Sequence, residues 1–240
     1  MNKRFDIIII MGRPASGKSE VIDYLKKTPA RDRIRRFHIG EFEEIDDFPM
    51  LWTWFEEDTI LEKVMKKPRL HTDSQGYFKF QYLWNLLIER ISMEYSKRKR
   101  DKNYHDTVTT IIEFSRGSEH GGYREAFQHL SDSILERAAI FYIDVSFEES
   151  LRKNRRRFNP ERPDSILEHG LPDEKLTRLY GAVDWEEFKG NDPEFISVKG
   201  HRVPYIVLKN EPDITTARDE NLGNALEKLL GRLWELRAAP

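Results

Sequence analysis

The chain contains no cysteine, which excludes disulfide bonds, thiolate metal sites and cysteine nucleophiles. It also lacks any run of about 18 apolar residues, so the sequence predicts no membrane span. The apolar run over residues 7–11 is shorter than the core of a signal peptide, which takes about 7–15 residues. A cysteine-free chain without these segments suits a reducing compartment, and we expect a cytoplasmic protein.

Net charge is also nearly absent, because 40 Lys and Arg residues oppose 42 Asp and Glu residues, for a formal charge of −2. This balance predicts neither a strongly basic protein that covers nucleic acid nor a protein with an acidic tail. The chain does contain 38% hydrophobic and 12% aromatic residues, which suit a sizeable core and argue against disorder. For 240 residues we expect one domain, residues 1–240.

Short apolar runs alternate with segments of helical periodicity along the chain. The runs predict five strands, near residues 5–11, 34–39, 107–114, 138–145 and 203–208. Buried strands interleaved with helices are typical of an α/β fold with a mainly parallel sheet and helices on both faces. Two more stretches of helical spacing, over 51–64 and 80–91, indicate a helical insertion at about 41–105.

A glycine-rich motif joins the first strand to the first helix. It matches the pattern G-x-x-x-x-G-K-[ST] at every fixed position, and its residues are Gly12, Arg13, Pro14, Ala15, Ser16, Gly17, Lys18 and Ser19. Glycines let the backbone N–H groups approach phosphate oxygens, and the helix that follows adds its positive end. Lys18 is expected to reach the β and γ phosphates, and Ser19 to join the Mg²⁺ shell. The motif predicts nucleoside-triphosphate binding and leaves the reaction open.

The sequence GRPASGKS resembles the phosphate loops of P-loop kinases that act on small molecules, such as nucleoside monophosphate kinases and deoxynucleoside kinases. The resemblance implies a P-loop NTPase fold and transfer of the γ-phosphoryl group from ATP, with Mg²⁺, to a nucleoside, a nucleotide or another small molecule. It leaves the choice between ATP and GTP open and is compatible with a homodimer. Lys18 becomes a catalytic candidate.

Two further segments resemble the acceptor side of these kinases. Residues 37–42 (FHIGEF) are similar to a strand end and Gly-Asp turn that open the acceptor site, which makes Glu41 a substrate-binding candidate. Residues 111–116 (IIEFSR) are similar to a strand end that carries a Glu-Arg pair, although here two residues separate Glu113 from Arg116. Glu113 is expected to accept the proton of an acceptor hydroxyl or to order Mg²⁺. Arg116 is a candidate for binding the acceptor.

Residues 144–157 resemble the strand, helix and lid passage of the same kinases, which implies an Arg-rich lid over 152–180. Arg152 and Arg156 share one helix face and are candidates for clamping the transferring phosphoryl group, with Arg155 beside them as a nucleotide-binding candidate. Residues 208–212, after the last strand, resemble a loop that packs against the base in these kinases. The resemblance implies that Asn210 lies near the base of the nucleotide.

The insertion contains tryptophans that can stack on a substrate or form a core. Trp84 lies in an apolar helical stripe and is interpreted as core, whereas Trp54 lies off that stripe and is the candidate for substrate binding.

Three other functions compete with a kinase. A GTPase would carry an Asn-Lys-x-Asp element, which residues 209–213 do not match. A nucleotide-gated regulatory ATPase without a small-molecule acceptor is the principal alternative. The basic cluster at 97–102 sits at the end of a predicted helix, where cations complement the helix dipole, so binding to nucleic acid is not favoured.

Overall fold

The computed structural model describes residues 4–101, 103–157, 161 and 170–238. The strands are β1 (Ile7–Gly12), β2 (Glu41–Asp46), β3 (Val108–Phe114), β4 (Ala138–Asp144), β5 (Phe195–Val198) and β6 (His201–Lys209). The helices are α1 (Lys18–Lys27), α2 (Ala30–Phe37), α3 (Asp47–Thr59), α4 (Tyr82–Arg98), α5 (Tyr104–Thr107), α6 (Gly122–Gln128), α7 (Asp132–Leu135), α8 (Phe147–Arg157), α9 (Asp173–Tyr180), α10 (Trp185–Lys189) and α11 (Glu220–Ala238). A π-helical turn (Ile60–Val64) continues α3, and a 3₁₀ turn (Ser118–His120) precedes α6.

In the described part of the chain, one sheet contains six strands in the order β2-β3-β1-β4-β6-β5. All neighbouring strands are parallel except β5 and β6, which form an antiparallel pair. The predicted α/β class with a mainly parallel sheet is therefore confirmed, and the predicted number of five strands is wrong.

The predicted second strand was placed too early in the chain. Residues 34–37 belong to α2, which buries Arg33 and Phe37 one turn apart on its inner face. The strand β2 follows at residues 41–46 and pairs only with β3, so it is an edge strand. An edge strand tolerates charged side chains, which is why the sequence EFEEID lacks the apolar run of a central strand. The helical part of the insertion accordingly begins at Asp47.

The additional strand is β5, which forms a hairpin with β6. Lys199 and Gly200 connect the two strands with φ values of 50° and 80°. Two consecutive positive φ angles are the requirement of a type I′ hairpin turn, and Gly satisfies the second one without steric cost. Pro204 lies within β6, opposite Phe195 of β5.

The sheet has a hydrophobic core on each face. Ile7, Ile9 and Met11 of β1 pack toward α4, α6 and α10, whereas Ile8 and Ile10 pack toward α1, α2 and α11. This alternation explains why β1 is apolar at every position, since successive side chains of a strand point to opposite faces. A smaller core joins α3 to α4. None of the helices described in the three main ranges is long and apolar enough to cross a membrane.

The topology brings the carboxyl ends of β1, β2, β3 and β4 to one edge of the sheet. Ligands of open α/β sheets bind outside this edge, where loops leave the strand ends. The phosphate loop, Asp46, Glu113 and the start of α8 all follow these strand ends, so the fold places them at one site.

Candidate active site

The glycines of the phosphate loop allow close backbone packing. Gly12 and Gly17 have φ values of 151° and 115°. A Cβ on Gly12 would lie 2.5 Å from the carbonyl oxygen of Ile143, and a Cβ on Gly17 would lie 2.5 Å from Thr215 Oγ1. Both contacts are shorter than atoms tolerate, so any other residue would displace the loop.

Lys18 is buried at the centre of the site. Its Nζ donates to the carbonyl oxygen of Arg13 at 3.1 Å and to Ser115 Oγ at 2.9 Å, and it lies 3.8 Å from Glu113 Oε1. Burial lowers the pKa of Lys18, and the nearby Glu113 carboxylate opposes this effect. The side chain is therefore held between the phosphate loop and the end of β3.

Three side-chain hydrogen bonds tie the phosphate loop to the segments around it. Arg13 donates to the carbonyl oxygen of Val145 at 2.9 Å, and Ser150 Oγ donates to that of Pro14 at 2.7 Å. Asn210 is fully buried, and its Nδ2 donates to the carbonyl oxygen of Ser16 at 2.8 Å. Asn210 thus supports the phosphate loop in this structure, which is a different contact from the base packing that the resemblance implied.

The residues of the loop suit the phosphates of a nucleotide. Ser16 Oγ is buried and has no hydrogen-bond partner within the described ranges. Ala15 adopts a φ of 55°, and Ser19 is exposed at the first turn of α1. A backbone cradle with a buried lysine and an unpartnered hydroxyl matches the donor set that phosphate oxygens need. Within the described residues no group of three or more His, Asp or Glu side chains is arranged for a metal ion.

Carboxylates cluster on the acceptor side of Lys18. Asp46 ends β2 directly opposite Glu113 of β3, and Asp47 is the next residue. Burial, reinforced by Glu113 and Asp47, raises the pKa of Asp46 to about 8. Burial likewise raises the pKa of Glu113, and Lys18 acts against that rise. The result is an acidic pair beside one lysine, in which one carboxyl group can hold a proton near neutral pH.

Arg116 is fully buried next to this pair. Its Nη1 lies 2.5 Å from Asp47 Oδ2, and its Nη2 donates to the carbonyl oxygen of Trp84 at 3.1 Å. Its Nε has no hydrogen-bond partner among the residues that the structure describes. Arg116 was the predicted candidate for acceptor binding. In this structure its charge is already balanced by the carboxylate of Asp47.

Glu41 does not lie at this site. It begins β2 opposite Val108, at the other end of the strand from Asp46, and its exposed side chain pairs with Arg33 at 3.4 Å. The expectation followed the misplaced second strand: the last residue of the true strand, Asp46, is five positions later. Asp46 and Asp47 could have been found from the charged pair at the end of the segment EFEEIDD.

The arginines of α8 face in different directions. Arg152 pairs with Glu149 at 2.7 Å, Arg155 pairs with Asp173 at 2.5 Å, and both side chains are more than half exposed. Arg156 is exposed as well. The structure therefore directs these three predicted arginines away from the phosphate loop.

The inner face of α8 carries other residues. Ser150, Lys153 and Asn154 are buried, and Arg157 lines the cavity next to Lys18. These positions follow the spacing of three and four residues that defines one helix face. The i, i+4 pair was correctly predicted to share a face, but sequence spacing alone does not specify which face meets the loop. Of the proposed lid over 152–180, residues 158–160 and 162–169 lie outside the described residues.

A second, larger cavity adjoins the phosphate loop. Its volume is about 800 Å³, and its walls come from α3, residues 76–84 and α9. Phe48, Leu51, Trp84, Leu171 and Tyr180 line both this cavity and the space around Lys18, so the two spaces are neighbours that share these wall residues. We call it the aromatic cavity, after the rings of Phe48, Trp52, Phe55, Phe78, Trp84 and Tyr180 in its walls.

Of the two tryptophans considered from the sequence, Trp84 lines the aromatic cavity, and Trp54, the predicted candidate for substrate binding, does not. Trp54 is buried in the small core of the insertion, stacks on His71 at 5.0 Å and does not line the aromatic cavity. Trp84 belongs to the same core, as predicted, and in addition lines the cavity. Helical periodicity identified the buried stripe, but the cavity wall depends on the packing of α3 and α9 against it.

No protein-family model matches the chain, and a search of curated proteins found no match. Among solved structures, the chain is similar to an unliganded sugar kinase from Janibacter sp. HTCC2649, with 14% identity over 93% of this chain and 95% of that one and a TM-score of 0.44. It is also similar to the protein APE1195, with 15% identity, coverage of 95% and 98%, and a TM-score of 0.43. A shikimate kinase from Acinetobacter baumannii, solved with shikimate, matches at 15% identity over 73% and 76%, with a TM-score of 0.34.

Two of these three proteins are named as kinases of small molecules. All three TM-scores are below 0.5, so inferences about this chain rest on its own strand order, phosphate loop and cavity.

Proposed function

We propose that this protein is a phosphotransferase that moves the γ-phosphoryl group of ATP to a small-molecule acceptor, for which a nucleoside or nucleotide is the leading candidate. The observation that carries the proposal is the position of Asp46 and Glu113, which line the space around the phosphate-loop lysine, while that space shares wall residues with a cavity of about 800 Å³. A hydrolase needs only a water at this position. A cavity of this size beside the acidic pair suits an organic acceptor.

In this proposal the chain works mainly by positioning and by neutralising charge. The backbone of residues 12–19 and Lys18 bind the β and γ phosphates, and Ser19 joins the ligands of Mg²⁺. ATP supplies the group that is transferred, and Mg²⁺ adds positive charge at its phosphates. Either Glu113 or Asp46 accepts the proton of the acceptor hydroxyl, and the other carboxylate would help to hold Mg²⁺ in place.

Arg157 has the position for stabilising the transferring group, because it lines the cavity beside Lys18. Its positive charge also contributes to the lowered pKa of Lys18, after burial as the main cause. The planar guanidinium stays charged at all relevant pH values and binds phosphate oxygens in pairs. We therefore assign Arg157 the role that the resemblance gave to Arg152 and Arg156.

The proposal is tested by an acceptor screen that measures ADP release from ATP and Mg²⁺. ADP release that depends on a particular compound, with a phosphorylated product found by mass spectrometry, is the expected result. Release that is indifferent to every compound would instead identify a regulatory ATPase. Lys18→Ala is the control: it should reduce turnover by roughly 10²–10³, because the transferring phosphate loses its contact with the positive charge of the lysine. Full turnover in a folded Lys18→Ala protein would contradict the proposal.

A further inference from the structure

The aromatic cavity has walls that suit a flat, apolar molecule. Rings of Phe48, Trp52 and Phe55 come from α3, and those of Trp84 and Tyr180 come from α4 and α9. Aromatic side chains attract planar groups through offset stacking and edge-to-face contacts. A sugar or another polyol would leave many of its hydroxyl groups facing apolar rings, where they have no hydrogen-bond partner.

The charges in the space around Lys18, next to the aromatic cavity, disfavour a phosphorylated acceptor. Asp46, Asp47 and Glu113 line this space together, and Arg116 is bound to Asp47. A phosphate group on the acceptor would bring at least one more negative charge beside these carboxylates. A neutral hydroxyl, in contrast, can donate its proton directly to a carboxylate oxygen.

Cations in the outer wall are already engaged. Arg178 pairs with Glu119 at 2.8 Å and lies 4.1 Å from the ring centroid of Tyr77. Lys175 donates to the carbonyl oxygen of Gly76 at 3.2 Å and lies over the same ring. These contacts use both cations to build the wall, which weakens the case that they bind an acceptor phosphate.

His120 adds a polar donor to this apolar wall. The ring is buried, stacks on Trp84 at 3.7 Å and accepts a hydrogen bond from the Gly117 N–H through Nδ1. We assign the proton of the neutral ring to Nε2 from this hydrogen bond, and Nε2 has no partner in the described part of the chain. A buried donor without an acceptor is uncommon in folded proteins, and a ligand oxygen or ring nitrogen would satisfy it.

We propose that the acceptor is an uncharged alcohol that carries a planar aromatic ring system with a hydrogen-bond acceptor atom, and that it carries no phosphate of its own. This inference rests on the proposed phosphotransferase function and narrows it to nucleosides or other alcohols with a planar aromatic ring. In the reaction, the hydroxyl oxygen forms a bond to the γ-phosphorus of ATP, and the bond from that phosphorus to the β–γ bridging oxygen breaks. The hydroxyl proton passes to Asp46 or Glu113, and ADP leaves.

The test compares matched compounds with ATP and Mg²⁺. The arms are four nucleosides, their 5′-monophosphates, aromatic alcohols such as 4-hydroxybenzyl alcohol, and the polyols glucose and shikimate. Phosphorylation of a nucleoside or an aromatic alcohol, at least tenfold more efficient than that of any monophosphate or polyol, is expected. Preference for a monophosphate or a polyol would overturn this inference and leave the phosphotransferase function standing. ATP hydrolysis that ignores every compound would overturn both.

A pair of variants tests the cavity itself. Trp52→Ala removes a ring from the wall, and Tyr82→Ala removes an exposed ring of the same insertion that does not line the cavity. We expect Trp52→Ala to raise KM for the acceptor at least tenfold with KM for ATP unchanged, and Tyr82→Ala to leave both values unchanged. Equal acceptor KM values in both variants and the wild type, with folding verified by circular dichroism, would place the acceptor elsewhere.

Discussion

Asp46 and Glu113 face each other across the ends of β2 and β3, and Lys18 Nζ lies 3.8 Å from Glu113 Oε1. Two carboxyl groups near one lysine repel each other when both are ionised, and burial adds to the cost of ionisation. Burial is the main reason that the pKa values of both residues are raised, with Glu113 and Asp47 adding to the rise at Asp46, and Asp47 adding to the rise at Glu113. This arrangement supplies a proton acceptor whose state changes near neutral pH.

Substitution of the two carboxylates should separate their roles. Glu113→Gln keeps the shape of the side chain but removes its charge, and it should lower turnover by at least about tenfold with little effect on nucleotide affinity. A weaker dependence on Mg²⁺ concentration would assign Glu113 to the metal, whereas normal Mg²⁺ dependence with low turnover would assign it to the acceptor proton. Wild-type values for both quantities would reduce Glu113 to a structural partner of Lys18.

Asp46 predicts a distinct pH profile. Since its pKa is raised to about 8, the carboxyl group is mostly protonated at pH 6 and becomes a base only as the pH rises through 8. If Asp46 is the proton acceptor, wild-type turnover should rise between pH 6 and 9, and Asp46→Asn should be slow and lack this rise. Steady-state kinetics across the range decides the point, and an unchanged profile in Asp46→Asn would assign the rise to another group.

The inner face of α8 should contribute more to turnover than its outer face. Arg157→Ala removes a cation beside Lys18 and is expected to lower kcat at least tenfold, by analogy with the loss of one donor to a developing charge. Arg156→Ala is the matched control on the same helix, because its side chain is exposed. Arg157→Lys should recover only part of the rate, since lysine lacks the planar guanidinium group that binds two phosphate oxygens at once. A larger effect of Arg156→Ala would support the clamp that the sequence first suggested.

These contrasts show how far the sequence determines the site. The motif at residues 12–19 and the strand before it are contiguous in the sequence, so the position of Lys18 at the end of that strand follows from the local pattern alone. Glu113 was found because a carboxylate that ends a buried strand has no packing reason to be there. Asp46 was missed because β2 is an edge strand, whose charged sequence resembles a solvated loop. The face of α8 and the walls of the aromatic cavity depend on tertiary packing, which periodicity does not encode.

A partly buried ion pair links α8 to the segment after β6 and stabilises the phosphate loop indirectly. Lys153 Nζ contacts Asp213 Oδ1 at 3.0 Å and Thr215 Oγ1 at 3.1 Å, and Thr215 Oγ1 in turn lies 2.9 Å from Asn210 Nδ2. Lys153→Met removes the cation but leaves Asp213 its hydrogen bonds to Thr215 and Thr216, and it should lower the free energy of unfolding by about 1.5–3 kcal/mol, the range for a hydrogen bond to a charged group.

Urea unfolding of Lys153→Met, together with its affinity for ATP, checks this prediction. Arg152→Met is the control, because it breaks an exposed pair on the same helix and should change stability little. The double variant Lys153→Met with Asp213→Asn should recover part of the loss, since no buried charge is then left unpaired. Equal stability of Lys153→Met and the wild type would show that this pair does not hold the segment.

His120 should make the stability of the protein sensitive to acid. Burial, with a smaller contribution from the positive charge of Arg116, lowers the pKa of His120 to about 3, whereas the unfolded chain has the ordinary value of 6.5. Between pH 6.5 and 3 the unfolded state therefore binds a proton that the folded state does not. The free energy of unfolding should fall as the pH decreases through this window, by up to about 1.4 kcal/mol per pH unit from this residue.

The variant His120→Asn isolates this contribution. Its side-chain carbonyl can still accept the Gly117 N–H bond, but it does not titrate, so its stability should depend less steeply on pH than that of the wild type. At pH 7.5 the variant is expected to be the less stable protein, because the stack on Trp84 is lost. As the pH is lowered to 4.5, the difference should narrow, since only the wild type must keep a buried imidazole neutral. Urea unfolding at several pH values measures the difference, and parallel curves for the two proteins would mean that His120 does not remain neutral in the fold.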